Sequence, residues 1–160
     1  MKKHIFFILM LAAFETNAQT KPLKKLYAYS QASLPGKKSN FPVAVKETYR
    51  LFITVAPKEK ISVTGVWVKN NYYRCNVKII GAKEVVHENM NNEKKILVPK
   101  TSNKIIELLL AKQVDPAPRP GSALGSLLQA NEVVFVYTWK GREYFSALKK
   151  ITMLEPFAAM

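Results

Sequence analysis

The dipeptide Lys140-Gly141 separates two runs, residues 132–140 (EVVFVYTWK) and 142–150 (REYFSALKK), that are dense in β-branched and aromatic residues. Such runs fit a pleated, half-buried surface, and a two-residue break containing Gly supplies the positive φ that a tight hairpin needs. With Lys140 and Gly141 as loop residues, Trp139 faces Arg142, Tyr137 faces Tyr144, Phe135 faces Ser146 and Val133 faces Leu148. The other face carries Val134, Val136, Phe145 and Ala147. Both faces are apolar in the middle, so these strands are expected to be covered on both sides, or to meet a partner on the second. The ends are polar, with Glu132 opposite Lys149.

A second hairpin is expected where residues 60–69 (KISVTGVWVK) and 72–80 (YYRCNVKII) flank Asn70-Asn71, since Asn tolerates positive φ. Taking the two Asn as the loop pairs Val68 with Tyr73, Val66 with Cys75 and Thr64 with Val77 on an apolar face. The opposite face pairs Trp67 with Arg74, flanked by Tyr72, Lys69, Asn76 and Lys78, and is expected to be wet.

Residues 47–56 (ETYRLFITVA) predict a strand with Tyr49, Leu51, Ile53 and Val55 on one face, stopped by Pro57. Residues 26–33 predict a first strand ending at Leu34-Pro35-Gly36, with a loop over 37–42. Residues 95–99 and 151–154 predict short strands, and residues 83–92 are polar and turn-rich. Residues 101–112 suit a helix by composition and a strand by context, and the surrounding strands favour strand. Residues 114–125 (VDPAPRPGSALG) hold three prolines and two glycines and are expected to form an irregular loop, followed by one helical turn at 126–130. Short strands with Gly and Pro punctuation predict an all-β fold, a single antiparallel β-sandwich that is immunoglobulin-like in the loose architectural sense, without the Cys…Trp…Cys hallmark of antibody domains. The expected boundaries are a leader at 1–18, a flexible lead-in at 19–25, the sandwich at 26–156 and a short apolar tail at 157–160.

Lys2 and Lys3, the apolar run at residues 5–14 (IFFILMLAAF) and the small-residue end Thr16-Asn17-Ala18 have the form of a secretory signal peptide cleaved after Ala18. The run is well short of the roughly 20 residues that span a bilayer, so no transmembrane anchor is expected after cleavage. Export to the periplasm or cell surface of a bacterium follows. Losing Lys2, Lys3 and Glu15 would leave 23 basic and 10 acidic side chains, taking the net charge from +14 to +13. The charge therefore belongs to the domain. Lys supplies nearly all of it, whereas nucleic-acid sites favour the Arg fork, and an exported chain meets acidic envelope polymers instead. Nucleic acid is therefore not expected as a partner.

Cys75 is the single cysteine, so no internal disulfide is available, and its place on the apolar hairpin face makes it a small core hydrophobe. General acid–base work needs groups that can share a cleft. After the leader, the inventory is His87, Asp115 and nine scattered Glu. His87 is expected in a loop, and Asp115-Pro116 reads as a turn initiator. No phosphate-cradling loop is present, since Gly121 and Gly125 lack a following Lys-Ser or Lys-Thr. No catalytic, cofactor or metal residues are therefore assigned. The binding candidates are aromatics set beside arginines: Trp67, Tyr72 and Arg74 on one hairpin, and Tyr137, Trp139, Arg142 and Tyr144 on the other, since Trp, Tyr and Arg dominate interface hot spots. The functional expectation is a non-catalytic binding module of the cell envelope with a protein or glycan partner. The alternatives are an assembly subunit that buries the second apolar face of residues 133–148, and an enzyme of unrecognised type.

Overall fold

The computed structural model describes residues 21–34 and 46–158. The expected leader and the loop at 37–42 lie outside them. The described chain is mostly β, in agreement with the expected class: β1 (Leu23–Leu34), β2 (Lys46–Val55), β3 (Ser62–Val68), β4 (Asn71–Gly81), β5 (Val85–Glu88), β6 (Lys94–Val98), β7 (Lys104–Gln113), the helix α1 (Ser122–Ala130), then β8 (Val133–Trp139), β9 (Arg142–Leu148), β10 (Thr152–Met153) and β11 (Phe157–Ala158). Residues 101–112 thus resolve to a strand. Its inner face, Ile106 and Leu108, joins the main core, while Ile105 faces outward into a second one.

The strands do not form two separate antiparallel sheets. Nine of the described strands belong to one sheet along the hydrogen-bonded path β10-β1-β2-β7-β4-β3-β8-β9, with β11 also lying along β1, and β5 and β6 form a small hairpin sheet of their own. β10 and β11 run parallel to β1, which makes the sheet mixed. Its shape follows from β4 and β7, which pair from Tyr73↔Gln113 to Gly81↔Ile105 as a long ribbon. β7 is zipped to β2 only over Lys104 to Leu108, and β4 to β3 only over Asn71 to Tyr73. The ribbon therefore crosses diagonally between a β1–β2 half and a β3–β8–β9 half. Register shifts at Tyr73/Cys75 and Ile79/Gly81, the latter with Gly81 at φ 99°, bend it as bulges do. The sheet doubles over until its halves face each other.

Between the halves lies the main core. Leu26, Ala28, Leu51, Ile53 and Val55 meet Val66, Val68, Val133, Phe135, Tyr137 and Trp139. The face expected to carry Tyr49, Leu51, Ile53 and Val55 is the one that points inward, with Tyr49 packed at the core margin. Each half is also covered on its outer side. The β5–β6 hairpin lays Val85, Leu97 and Val98 over Phe52 and Ile105, which explains why part of the polar stretch at 83–92 is a strand rather than a loop: Val85 is its apolar anchor. Over the other half, α1 covers Trp67, Val134 and Val136. The second apolar face of β8 is thus met by the same chain.

Both termini of the described chain are ordered more tightly than their composition suggests. β1 begins at Leu23, inside the expected lead-in, because Leu23 pairs with Val55. Phe157 and Ala158, in the expected tail, pair with Ser33 and Leu34.

Candidate binding cleft

The β8–β9 hairpin has the expected register, Trp139↔Arg142, Tyr137↔Tyr144, Phe135↔Ser146 and Val133↔Leu148, around Lys140 and Gly141 at φ 49° and 74°. The direction of its aromatics differs from the expectation. Tyr137 and Trp139 are buried in the core between the halves, and Tyr144 packs beside them. Phe135, Tyr137 and Tyr144 form a stacked ladder with centroid spacings of 5.6 and 5.7 Å. The Trp139 indole N–H donates to Glu59 Oε2 at 2.7 Å. Arg142 is exposed at the turn. Tyr137, Trp139, Arg142 and Tyr144 are therefore corrected from a ligand face to a core ladder with a solvated Arg at its end. Both faces of this hairpin are apolar, and the aromatic one is chosen by the facing half of the sheet.

At the β3–β4 hairpin the turn lies one residue earlier than expected. Lys69 and Asn70 take positive φ, 47° and 67°, and the pairs are Val68↔Asn71, Trp67↔Tyr72 and Val66↔Tyr73. Tertiary contacts hold Lys69 there. Its N–H donates to Glu132 O at 2.8 Å, and its ammonium reaches both Glu47 carboxylate oxygens at 2.9 Å. The shift keeps Val66, Val68, Tyr73 and Cys75 on the core face and Trp67 and Tyr72 on the other, but exchanges cross-strand neighbours, so Trp67 lies opposite Tyr72 rather than Arg74. Thr64 and Val77, expected on the apolar face, are exposed, and the register shift between Val63 and Gly65 puts Val63 against the core and Thr64 in the cleft lining.

Trp67 and Tyr72 pack with centroids 5.2 Å apart and a 54° tilt. Tyr72 lies across Gly65, where a Cβ would overlap its ring, and its hydroxyl donates to Thr64 O at 3.2 Å. Burial pushes the Tyr72 hydroxyl pKa upward, so it stays a donor at neutral pH. This face was expected to be wet. It is instead roofed by α1, whose Leu124, Leu127 and Leu128 recur at helical spacing against Trp67, Val134 and Val136. The helix is longer than the single turn expected at 126–130, since Ser122 to Gly125 also join it.

The roof does not seal the face. Between the sheet, the approach to the helix and its first turn lies a cleft of about 500 Å³. Trp67, Val136 and Phe145 form its floor, Tyr72 one wall and Leu124 part of the roof, with Arg119 and Glu143 bringing opposite charges to the rim. The helix has Gly121 at its N-cap and no side-chain cap, and no residue in it is fully buried. Its attachment rests on the leucine stripe, which makes it a cover of low local stability.

Of the expected binding residues, the cleft brings together Trp67 and Tyr72. Arg74 is exposed and lines a separate hollow with Lys112 and Asp115. Phe145 and Arg119 were not among the candidates. Phe145 could have been found as the largest side chain on the second face of its hairpin, whereas Arg119 carries no sequence signal beyond its place in the Pro-rich stretch.

The remaining chemistry-bearing groups lie apart. Cys75 is half-buried at the core margin, and desolvation pushes its thiol up to about 11, which keeps it protonated at neutral pH. His87 lies on β5 rather than in a loop, with its Nε2 enclosed and without a hydrogen-bond partner among the described residues. Asp115 is exposed. Among the described residues, no three His, Cys, Asp or Glu side chains gather in a metal-sized group. Comparison of the chain with family models, with curated proteins and with solved structures finds no match.

Proposed function

We propose that the protein is an exported, non-catalytic binding module of a bacterial cell envelope, sandwich-like and loosely immunoglobulin-like in its layering, that takes a protein or glycan partner in the cleft beneath α1. The observation that carries this reading is the cleft itself, where Trp67, Tyr72 and Phe145 meet at an apolar floor with Arg119 and Glu143 at the mouth. Ligand sites are commonly concave, mostly apolar and furnished with a few placed polar groups, and aromatic rings stack on sugar faces and anchor protein side chains. Export is supported by the charged, apolar and small-residue order of residues 1–18. The non-catalytic reading is supported by the dispersal of His87, Asp115 and Cys75 over three separate regions.

The test is capture from an envelope extract by the purified protein and by an Ala123→Trp variant. Ala123 is exposed and lines the cleft, so an indole there fills the mouth without disturbing the core. One defined partner retained at moderate salt by the native protein and lost by the variant is the expected result. Equal capture by both, disappearing with added salt, would refute the reading and leave only adhesion of a basic surface to acidic polymers.

A further inference from the structure

We propose that the slot between β2 and β7 receives an extended peptide strand from another polypeptide, paired through the main chain and carrying acidic residues on its outward face. The slot is a consequence of the diagonal ribbon. β2 and β7 are paired from Leu51↔Leu108 to Val55↔Lys104, and beyond that point they diverge. Among the described strands, β2 continues beside β1 alone as far as Lys46, and β7 continues beside β4 alone as far as Gln113. The space between them is about 640 Å³.

The nature of its walls identifies the occupant. Alternate residues of a strand point to opposite faces, so a hollow on one face of a sheet is lined by every second residue. This one is lined by the unbroken runs 46–50 and 107–112. It is therefore bounded by strand edges. Among the described residues, no ladder partner occupies the β7-facing side of residues 46–50 or the β2-facing side of residues 109–113. Two opposed edges of about five residues offer roughly 17 Å of ladder to an inserted strand, and main-chain pairing of this kind is how exposed sheet edges take peptides.

The side chains restrict the sequence of that peptide. On the core side, Tyr49, Tyr73 and Leu110 are half-buried, which calls for apolar residues at alternate positions. At the rim, the acids are already engaged: Glu47 by Lys69 and Tyr49, and Glu107 by Arg50 at 3.7 Å and Lys78 at 3.9 Å. Lys46 and Lys112 are exposed and take part in no ion pair among the described residues. The uncompensated charge at the slot is positive, so the peptide's alternate, outward residues should be acidic.

The test uses the purified protein and three blocked heptapeptides: alternating valine and glutamate, the same peptide N-methylated at every valine, and alternating valine and lysine. The first is expected to slow amide hydrogen exchange in residues 46–50 and 109–112, with the other two binding about tenfold or more weakly. A Lys46→Glu/Lys112→Glu variant, altered only at exposed positions, is expected to reverse the charge preference while keeping its unfolding midpoint. Equal binding of the N-methylated peptide would overturn the proposal. So would amides in the slot that exchange, in the free protein, as slowly as those of the zipped segments, because the chain's own residues would then occupy it. A mass that doubles with concentration while the same amides slow would assign the slot to a second copy and equally overturn it.

Discussion

Replacing Gly65 by Ala tests the geometry of the cleft wall with a single methyl group. Gly65 is buried where the β3–β8 ladder shifts register, and Tyr72 lies directly over it. Its φ is not in the left-handed region, so the backbone admits Ala and the methyl acts only on the ring. Displacing Tyr72 forfeits its hydrogen bond to Thr64, about 1 kcal/mol net, and its packing with Trp67, about 0.5–1.5 kcal/mol. Removing a glycine from a strand interior returns about 0.5–1 kcal/mol. The balance is a loss of about 0.5–2 kcal/mol, or roughly 0.6 M in urea midpoint at a slope near 2 kcal/mol per M. In a Tyr72→Ala background the clash is gone and only the backbone gain remains, so the same substitution should stabilise by about 0.5–1 kcal/mol. Urea unfolding of the four proteins in this cycle, followed by tryptophan fluorescence, measures both values. A Gly65→Ala change that stabilises the native protein, or that costs the same with and without Tyr72, would refute the placement of the ring.

Three further outcomes follow from the same structure. Cys75, with its thiol raised to about 11, should resist alkylation by iodoacetamide at pH 8 in the folded protein and react fully in denaturant; rapid labelling under native conditions would contradict its burial. Glu47 has its pKa lowered chiefly by the Lys69 hydrogen bond, so its contribution to stability is present above the ordinary value of 4.5 and lost as pH falls through the lower folded value; Lys69→Met should flatten the acid limb of the stability profile, and an unchanged limb would show that the pair contributes nothing. Amides of α1 should exchange faster than those of β8 beneath it, because no helix residue is fully buried and no side chain caps it, whereas equal protection would mean that helix and sheet open as one unit.

How far the architecture could be read from the residues varies from element to element for identifiable reasons. At Lys140-Gly141 one glycine sits between unambiguous runs, and both register and turn were legible. At Lys69-Asn70-Asn71 two overlapping dipeptides can take positive φ, and the choice is made by Glu47 and Glu132, which are distant in sequence. The aromatic stripe of β8 and β9 was visible but its direction was not, since both faces are apolar and only the facing half of the sheet distinguishes them. The cleft was half legible. Trp67 and Tyr72 stood out as candidates, but their cover is a helix built from a segment whose Pro and Gly content signals a loop. Pairings such as β4 with β7 depend on complementarity across the whole chain and leave no local trace, so strand content was readable while the doubled-over path was not.

The parallel pairing of β10 and β11 with β1 joins segments that lie far apart along the chain. Gln31 donates to the carbonyl of Glu155 across a sequence separation of 124 residues, and Leu154 donates to Ser30 O at 2.8 Å. Among the described residues, the outer edge of β1 is paired at Tyr29, Ser30, Ser33 and Leu34, and by residues 152–158 alone. That stretch of β1 therefore stays unpaired on this side until residues more than a hundred positions downstream have been made, a pairing of high sequence separation. Such an edge is a template for pairing with other chains. Residues 152–158 thus do more than extend the sheet: they cover a stretch of edge that would otherwise be open to neighbouring chains.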